Sequence, residues 1–303
     1  MSAKTGIEWT DRTWNPLTGC TKVSPGCDHC YAKTMHERFN GPGSFDTVTL
    51  HPERLTQPLG WRKPARVFVN SMSDLFHKDA PDAYIESVFR TMSVGDQHTF
   101  QVLTKRPARM RALLSDPGFR DRVNAAVKWP LRNVWLGVSV EDQKWADVRI
   151  PVLLDTPAAV RFLSCEPLLG PIDLRQATST ASESQRLDGG QIGWVIVGGE
   201  SGRGARPMRA DWALSLRDQC TAFDIPFLFK QWGEWVPTKT LSVGHLSDPR
   251  EFHGELVDDG LHADINWRRL YRCVGKKAAG RELDGRTWDQ YPDRPTAVLG
   301  RPT

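Results

Sequence analysis

Short apolar runs that alternate with helix-like segments restrict the fold of this chain more than any other feature. Six of the runs are rich in β-branched and aromatic residues, as buried strands are. They are Arg66–Asn70, Thr99–Thr104, Asn133–Val138, Val160–Ser164, Trp194–Gly198 and Pro226–Phe229. Successive runs begin about 27–34 residues apart, which is the length of one strand–helix unit. With an earlier candidate strand at Thr13–Thr18, the pattern predicts an α/β fold, a partial or full parallel (β/α) barrel of six to seven strands.

The alternation of strands and helices ends near Trp235, so residues 1–235 are predicted to form the barrel domain. Residues 236–303 are rich in turn signals and are predicted to form a small β-rich appendage or lid, with a hairpin or small folded unit at Gly275–Tyr291. The Ser-, Thr- and Gly-rich segment Ala177–Gly190 is predicted to be a flexible surface insertion. Helices are predicted at Asp82–Ser93, Ala108–Leu114 and Asp211–Phe223.

Composition restricts the cellular context. No apolar run approaches the roughly 18 residues of a membrane span, and the N-terminal residues lack the apolar core of a secretion signal. These features predict a cytoplasmic protein without a membrane partner. The formal net charge of +4 permits a nucleic-acid partner but does not require one.

Three of the six cysteines lie within one loop, 19–31, after the first candidate strand. Cys20, Cys27 and Cys30 have the spacing C-x6-C-x2-C, and a helix is predicted directly after them at Tyr31–Phe39. In a reducing compartment such a group is typical of a metal-binding or catalytic site rather than of a disulfide framework. The other three, Cys165, Cys220 and Cys273, are scattered.

Either a zinc ion or an iron–sulfur cluster could bind to these three thiolates. A structural zinc site takes four protein ligands, so zinc would need His29 or His36 as the fourth ligand. His29 lies awkwardly between the paired cysteines, whereas His36 lies on the following helix. A [4Fe–4S] cluster held by three cysteines instead leaves one iron open to a substrate or cofactor. On the residues alone, both alternatives stay open.

Polar residues follow the predicted strands one after another, and the carboxyl ends of parallel strands lie on one face of a barrel, where active sites are built. These residues are Ser71, Ser73, Asp74, Thr104, Lys105, Arg106, Ser139, Glu141, Cys165, Glu166, Gly198–Ser201 and Lys230–Trp232. The sequence therefore predicts one shared pocket at these ends.

Four of these strand ends carry a family resemblance. The segments NSMSDLF (70–76), VLTKRP (102–107), LGVSVED (136–142) and RFLSCEPLLGPI (161–172) resemble, in this order, the branch of the radical S-adenosylmethionine superfamily that includes spore photoproduct lyase. The opening GCxxxSxGCxxCYA, with VGGESG and FKQWGEW later, is similar to a phage and bacterial radical-SAM-like group of unassigned substrate. The likeness covers residues 5–290. The six residues between the first two cysteines depart from the three that are usual in the superfamily.

The resemblance implies a function. Cys20, Cys27 and Cys30 would hold three irons of a [4Fe–4S] cluster, and the fourth iron would bind the amino and carboxylate groups of S-adenosylmethionine. An electron donor such as a flavodoxin or ferredoxin would reduce the cluster. Cleavage of the sulfonium would then give a 5′-deoxyadenosyl radical that takes a hydrogen atom from the substrate.

The resemblance also suggests roles for the polar strand ends. The predicted cofactor-binding residues are Asn70, Ser71, Ser73, Asp74, Thr104, Lys105, Ser139 and Glu141. Of these, the 71–74 segment would meet the amino group, Thr104 and Lys105 the carboxylate, and Ser139 and Glu141 the ribose. The glutamate of the superfamily's GGE motif follows the second strand, whereas Gly198-Gly199-Glu200 follows the sixth, so its role is not transferred.

Three further residues are catalytic candidates. Glu166 and Glu200 are predicted to contact substrate, with ion pairs to Arg203 or Arg206 as the alternative. Cys165 is a candidate hydrogen-atom donor to a product radical, with a small buried residue as the alternative.

The predicted substrate is a nucleic acid or nucleobase. The likeness to a DNA lyase, the phage association and the basic segments Lys105–Arg111 and Trp267–Arg272 favour it, although basic runs are commonly solvated helix faces. Trp232 and Trp235 are candidates for stacking on a flipped base. The alternatives are a peptide or small molecule as substrate, or a binding module that a zinc ion or cluster stabilises without catalysis.

Overall fold

Seven parallel strands form the main sheet of the protein. The structure is a computed structural model that describes residues 5–124, 126–179, 191–237, 251–253 and 270–292. Its strands are β1 Arg12–Trp14, β2 Leu17–Thr18, β3 Thr49–Leu50, β4 Arg66–Val69, β5 Thr99–Thr104, β6 Val134–Ser139, β7 Val160–Cys165, β8 Trp194–Gly198, β9 Phe227–Gln231, β10 Trp235–Pro237, β11 Glu251–His253 and β12 Leu270–Cys273. The main sheet has the order β1-β4-β5-β6-β7-β8-β9, with every neighbouring pair parallel. Because β1 and β9 remain edges, the sheet is a curled half-barrel, which confirms the partial form of the predicted barrel.

Most of the helices pack against one face of this sheet, whereas the first begins at the cysteine loop. The helices are α1 Tyr31–Asn40, α2 Asp82–Val94, α3 Pro107–Ser115, α4 Pro117–Asn124, α5 Gln143–Leu154, α6 Leu174–Thr178, α7 Ala210–Ala222 and α8 Lys276–Ala279. The larger hydrophobic core joins helix residues such as Ile85 and Val88 to strand residues such as Val67 and Val102. The predicted helices at 82–93, 108–114 and 211–223 are confirmed within one residue at each end.

Alternation along each strand decides which residues face the concave side. Side chains at successive strand positions point to opposite faces. Val67 and Val69 pack toward the helices, whereas Phe68 belongs to a separate concave cluster. That concave cluster consists of Trp9, Phe68, Trp135, Phe162, Trp194, Ile196 and Leu228. It fills the concave side of the half-barrel with aromatic rings.

The first residues of the segment Ala177–Gly190, which was predicted to be a flexible insertion, are helical in the structure. Ala177 and Thr178 belong to the predicted flexible insertion, but they are buried in α6. The helix forms because the carboxylate of Asp173 caps it, accepting from the backbone N–H of Gln176 at 3.1 Å. Ser179 follows as the C-terminal cap of α6, and residues 180–190 of the predicted insertion lie outside the described residues.

The C-terminal residues add a small antiparallel sheet of order β10-β12-β11. Within the predicted unit at 275–291, α8 is followed by a bridge between Leu283 and Arg286. This unit packs against the edge of the half-barrel, where the backbone N–H of Phe229 donates to the carbonyl of Trp288 at 2.9 Å. None of the helices in the described ranges has the length and apolar character needed to span a bilayer.

Candidate functional site

A cavity of about 410 Å³ opens where the strands of the half-barrel end. Cys20, Cys27 and Cys30 line it, and their thiols are free and partly exposed. Asp74, Thr104, Lys105, Glu166 and Glu200, from several different strand ends, line the same cavity. The structure thus brings most of the sequence-predicted site residues together at one place.

The cysteine loop is held by neighbouring segments on both sides. The backbone N–H of Cys20 donates to the carbonyl of Phe45 at 2.8 Å. A single 3₁₀ turn, Pro25–Cys27, separates the first thiol from the other two, and α1 begins directly after Cys30. At the start of that turn, the hydroxyl of Ser24 donates to Glu141 at 2.6 Å. These contacts hold the loop between β3, α1 and the end of β6.

Arg106 is the nearest cation to the first thiol. Its Nη1 lies 3.5 Å from the Sγ of Cys20, and its Nη2 donates to the carbonyl of Thr21 at 2.9 Å. Burial, followed by the carboxylate of Asp74, raises the pKa of the Cys20 thiol to about 11, and Arg106 opposes that rise. The sequence analysis placed Arg106 in the shared pocket and in the basic segment Lys105–Arg111, but it did not connect Arg106 with the first cysteine.

Asp74 connects two strand ends. Its carboxylate accepts hydrogen bonds from the Thr104 hydroxyl at 2.7 Å, the Lys105 backbone at 3.1 Å, the Arg106 guanidinium at 2.9 Å and the Phe76 backbone at 3.0 Å. Asp74 was predicted to contact the amino group of the cofactor. Such an amino group would have to share the carboxylate oxygens with these existing hydrogen bonds. In the structure, the carboxylate of Asp74 holds the segment after β4 against the end of β5.

Glu141 lies behind the cysteine loop rather than at the cavity surface. Its carboxylate pairs with Arg149 at 2.9 Å and with Lys105 at 3.3 Å, and it is fully buried. Burial acts to raise its pKa, but Lys105 and Arg149 outweigh burial and hold the pKa below its ordinary value. The predicted contact with a ribose hydroxyl does not fit this position, because Ser24 already covers the carboxylate.

The two remaining carboxylates of the predicted site, those of Glu166 and Glu200, both form ion pairs. Glu166 accepts from Lys230 at 2.5 Å, whereas the sequence suggested an arginine as its partner. Glu200 pairs with Arg206 at 2.6 Å, as the alternative interpretation predicted. Arg206 also donates to the carbonyl of Pro25 at 2.9 Å, so it ties the end of β8 to the cysteine loop.

The two motifs late in the chain, VGGESG (197–202) and FKQWGEW (229–235), are in direct contact through their backbones. A Cβ on Gly199 would lie 1.9 Å from the carbonyl oxygen of Trp232, and a Cβ on Gly233 would lie 2.1 Å from that of Glu200. Only glycine fits at either position. Gly199 and Glu200 line the cavity, so part of its wall is main chain.

Cys165 lies on the opposite side of its strand from the cavity. Its neighbour Ser164 lines the cavity, whereas Cys165 is packed in the core beneath the helices. Burial raises the pKa of this thiol well above its ordinary value. The position agrees with the alternative interpretation, a small buried residue, and gives the thiol no route to a substrate in the cavity.

The tryptophans expected to stack on a base are used elsewhere. The indole N–H of Trp232 donates to the carbonyl of Glu282 at 2.8 Å, and that of Trp235 to the carbonyl of Ala205 at 2.6 Å. In the described part of the chain, neither lines the cavity. Of the basic segment Trp267–Arg272, residues 267–269 lie outside the described residues.

The remaining cofactor-binding candidates divide into two groups. The hydroxyls of Ser71 and Ser73 bond to Asn15 and to the carbonyl of Leu17, at 3.2 and 3.0 Å, so they brace the turn after β4. Asn70 and Ser139 also line the cavity and are buried. They are the polar groups of this set with capacity left for a ligand.

The donor chemistry of the cavity fits a three-cysteine cluster. Among the residues described, no group of three or more His, Cys, Asp or Glu side chains is already arranged to hold a metal ion. Three free thiols on one loop facing one cavity nevertheless form the ligand set that a cluster with one open iron requires. His29 lines the same cavity, whereas His36 does not and its ring packs against Phe45, so His29 is the candidate fourth ligand for zinc that the cavity itself offers.

Comparison with known proteins identifies a family without assigning a function. A family model described as "Protein of unknown function (DUF5131)" matches residues 4–292. No curated protein and no solved structure matches the chain. The function is therefore inferred from the site.

Proposed function

The chain belongs to the DUF5131 family of proteins of unknown function, and we propose that it is a radical S-adenosylmethionine enzyme with a [4Fe–4S] cluster on Cys20, Cys27 and Cys30. One observation carries the proposal. Of the six cysteines, all of which the structure describes, only these three line the cavity at the strand ends. When bound, the cluster supplies the electron that cleaves S-adenosylmethionine to a 5′-deoxyadenosyl radical.

Lys105 is the residue best placed to hold the carboxylate of S-adenosylmethionine. Its side chain lines the cavity and is mostly buried, with the ammonium 3.3 Å from Glu141. An ammonium has three donors, so the pair with Glu141 leaves donors for a ligand carboxylate. Glu141 in turn is held by Arg149, so the position of Lys105 is supported from behind.

The cavity combines apolar and charged lining residues. Ile7, Trp9, Phe68 and Leu103 contribute apolar surface, which excludes water from a reactive intermediate. The same cavity also carries the pair of Glu166 with Lys230. This pair offers both charges to polar groups of a substrate.

A nucleobase-type substrate is the class we propose. The basic segment Lys105–Arg111 gives it little support, because Arg109 bonds to the carbonyl of Ala80 at 2.6 Å and Arg111 pairs with Asp155. Support comes instead from the apolar aromatic wall of the cavity, since a planar base stacks on such a wall. We further propose a cytoplasmic location, with a flavodoxin or ferredoxin as electron donor, because a reducing compartment keeps all six thiols free.

The reconstituted, reduced protein is expected to convert S-adenosylmethionine to 5′-deoxyadenosine, even without its substrate. Enzymes that generate this radical leak slow, uncoupled cleavage, whereas zinc has no accessible second redox state. The measurement is chromatography of a reaction quenched after anaerobic incubation with dithionite. The control is the variant with Cys20, Cys27 and Cys30 all replaced by alanine. A fully loaded protein that gives no more product than this control contradicts the proposal, and methylthioadenosine as product would change the bond that is broken.

Replacing Lys105 by methionine is expected to weaken binding of S-adenosylmethionine. The change keeps the stem and removes the ammonium, so the loss is that of one charge-assisted hydrogen bond, about 1.5–3 kcal/mol. Calorimetry on the cluster-loaded protein measures the affinity. Lys78→Met is the matched control, because Lys78 is exposed and pairs with Asp79 at the surface. Equal affinities in the two variants would reject the role of Lys105.

A further inference from the structure

The side chain of Asn70 is a buried polar group that lacks a partner. It is 3% exposed, it lines the cavity, and neither its Oδ1 nor its Nδ2 has a hydrogen-bond partner among the residues that the structure describes. A buried donor or acceptor left without a partner is destabilising. Such a group at a cavity wall indicates that a ligand supplies the missing partners.

The backbone holds this amide in place. Asn70 has φ = 62°, in the left-handed region, which asparagine tolerates better than most residues. Its backbone N–H donates to the carbonyl of Trp14 at 2.8 Å, and its carbonyl accepts from Ser73 at 3.3 Å. Since both main-chain groups are used, the backbone from which the carboxamide projects is fixed in the turn after β4.

Two aromatic rings line the same cavity as the amide. Phe68 lies two positions earlier, on β4, and Trp9 lies before β1. The ring of Trp9 packs on Phe68 at a centroid distance of 4.6 Å, and both rings line the cavity. Leu103 adds apolar surface from the adjacent strand β5. The cavity thus combines an apolar ring-binding wall with a neutral donor–acceptor pair.

We propose that Asn70, Phe68 and Trp9 form a subsite for an amino-substituted nucleobase such as adenine. The carboxamide would accept from the exocyclic amine and donate to the neighbouring ring nitrogen, which is the bidentate pairing that asparagine makes with adenine. The ring would lie against the aromatic wall. The inference rests on the proposed function for treating this cavity as the reaction chamber. The base belongs either to S-adenosylmethionine or to the substrate, and both present the same edge.

The test compares two nucleosides that differ in this edge. Adenosine has the exocyclic amine, and purine riboside lacks it. Titration of the full-length, cluster-loaded protein, followed by calorimetry, is expected to show adenosine binding about 5- to 150-fold more tightly than purine riboside. Equal affinities, or no binding of either nucleoside, would overturn the subsite.

Variants at Asn70 connect the preference to this residue. Asn70→Leu removes both polar atoms at nearly constant shape, so it is expected to abolish the preference for adenosine. Asn70→Asp keeps the acceptor for the exocyclic amine and loses the donor to the ring nitrogen, so it is expected to weaken binding of both nucleosides and to keep the preference. The matched control is Asn40→Leu, an exposed asparagine that bonds to the carbonyl of His36 at the end of α1. If Asn70→Leu does not fold, Asn70→Gly removes the same contact, because glycine tolerates the left-handed backbone of this position. Retention of the preference in a folded Asn70→Leu or Asn70→Gly variant would refute the inference.

Saturating S-adenosylmethionine identifies the source of the base. Displacement of adenosine assigns the subsite to the cofactor's base, and simultaneous binding assigns it to the substrate's base; both results support the role of Asn70. Preference for adenosine together with absence of 5′-deoxyadenosine production would retain the subsite and reject radical chemistry. The two proposals therefore fail separately.

Discussion

Replacement of Cys27 by alanine is expected to remove most of the iron from the anaerobically reconstituted protein, and replacement of Cys20 or Cys30 is expected to do the same. A loaded chain contains about four irons and four sulfides, and each of three irons depends on one thiolate. With two thiolates left, the cluster loses its hold on the loop. Iron and sulfide assays, together with the visible charge-transfer absorbance, measure the effect.

The matched controls are the three cysteines outside the loop. Cys165 and Cys220 are buried in the core, and Cys273 belongs to β12. Their alanine variants are expected to keep the iron of the parent protein. If any of them loses iron as fully as Cys27→Ala, the assignment of ligands is wrong.

Metal analysis of the same samples separates iron from zinc. If the purified chain holds zinc, and His29→Ala or His36→Ala releases it, the loop is a structural zinc site. Under the cluster proposal, neither histidine variant changes the iron content, because three cysteines complete the protein ligand set.

Replacing Arg149 by methionine is expected to lower the free energy of unfolding by about 3–5 kcal/mol, because removal of one partner from a buried ion pair leaves the other charge uncompensated. Arg149 is 1% exposed and Glu141 is fully buried. Lys105 and Ser24 remain close to Glu141, which favours the lower end of that range. Urea unfolding, followed by tryptophan fluorescence, measures the change.

Arg111→Met is the control for that effect. Arg111 pairs with Asp155 where both side chains are about half exposed, and an exposed pair contributes about 0–1 kcal/mol. The double variant Glu141→Leu with Arg149→Leu removes both charges, so its loss is expected to be smaller than the sum of the single losses. A cost for Arg149→Met no larger than that of Arg111→Met would show that the buried pair does not stabilise the fold.

The strand positions were predictable because the signal is local. Each parallel strand is buried on both faces, so it reads as a short, continuous apolar run between polar segments. All six main runs became strands of the half-barrel, with small differences at their ends. Closure of the barrel was not predictable, since it depends on whether β1 and β9 meet, and no local pattern reports that contact.

The site residues were predictable as a set but not one by one. Position at the carboxyl end of a strand identifies the end of the barrel at which a residue lies. Whether its side chain points into the cavity or into the core alternates from one residue to the next. A shift of one position separates Ser164, which lines the cavity, from Cys165, which does not. Glu141 shows a second limit, because its burial depends on Ser24, 117 residues away in the chain.

Arg149 is the residue that the sequence analysis missed most clearly. It lies in the otherwise apolar stretch Val148–Leu154 of α5, and an arginine in such a position signals a buried partner. The partner could not be named from sequence, since Glu141 precedes the helix and pairs with Arg149 only when the loop folds back.

The contact of Gly199 with Gly233 has a consequence for how this cavity can evolve. Where the two late motifs touch, the wall consists of peptide groups, and a Cβ at either glycine would collide with a carbonyl oxygen. A point substitution therefore cannot reshape this wall to admit a new ligand. Any change of ligand preference among descendants of this chain has to come from the walls that present side chains, such as those of Phe68, Asn70 and Lys105.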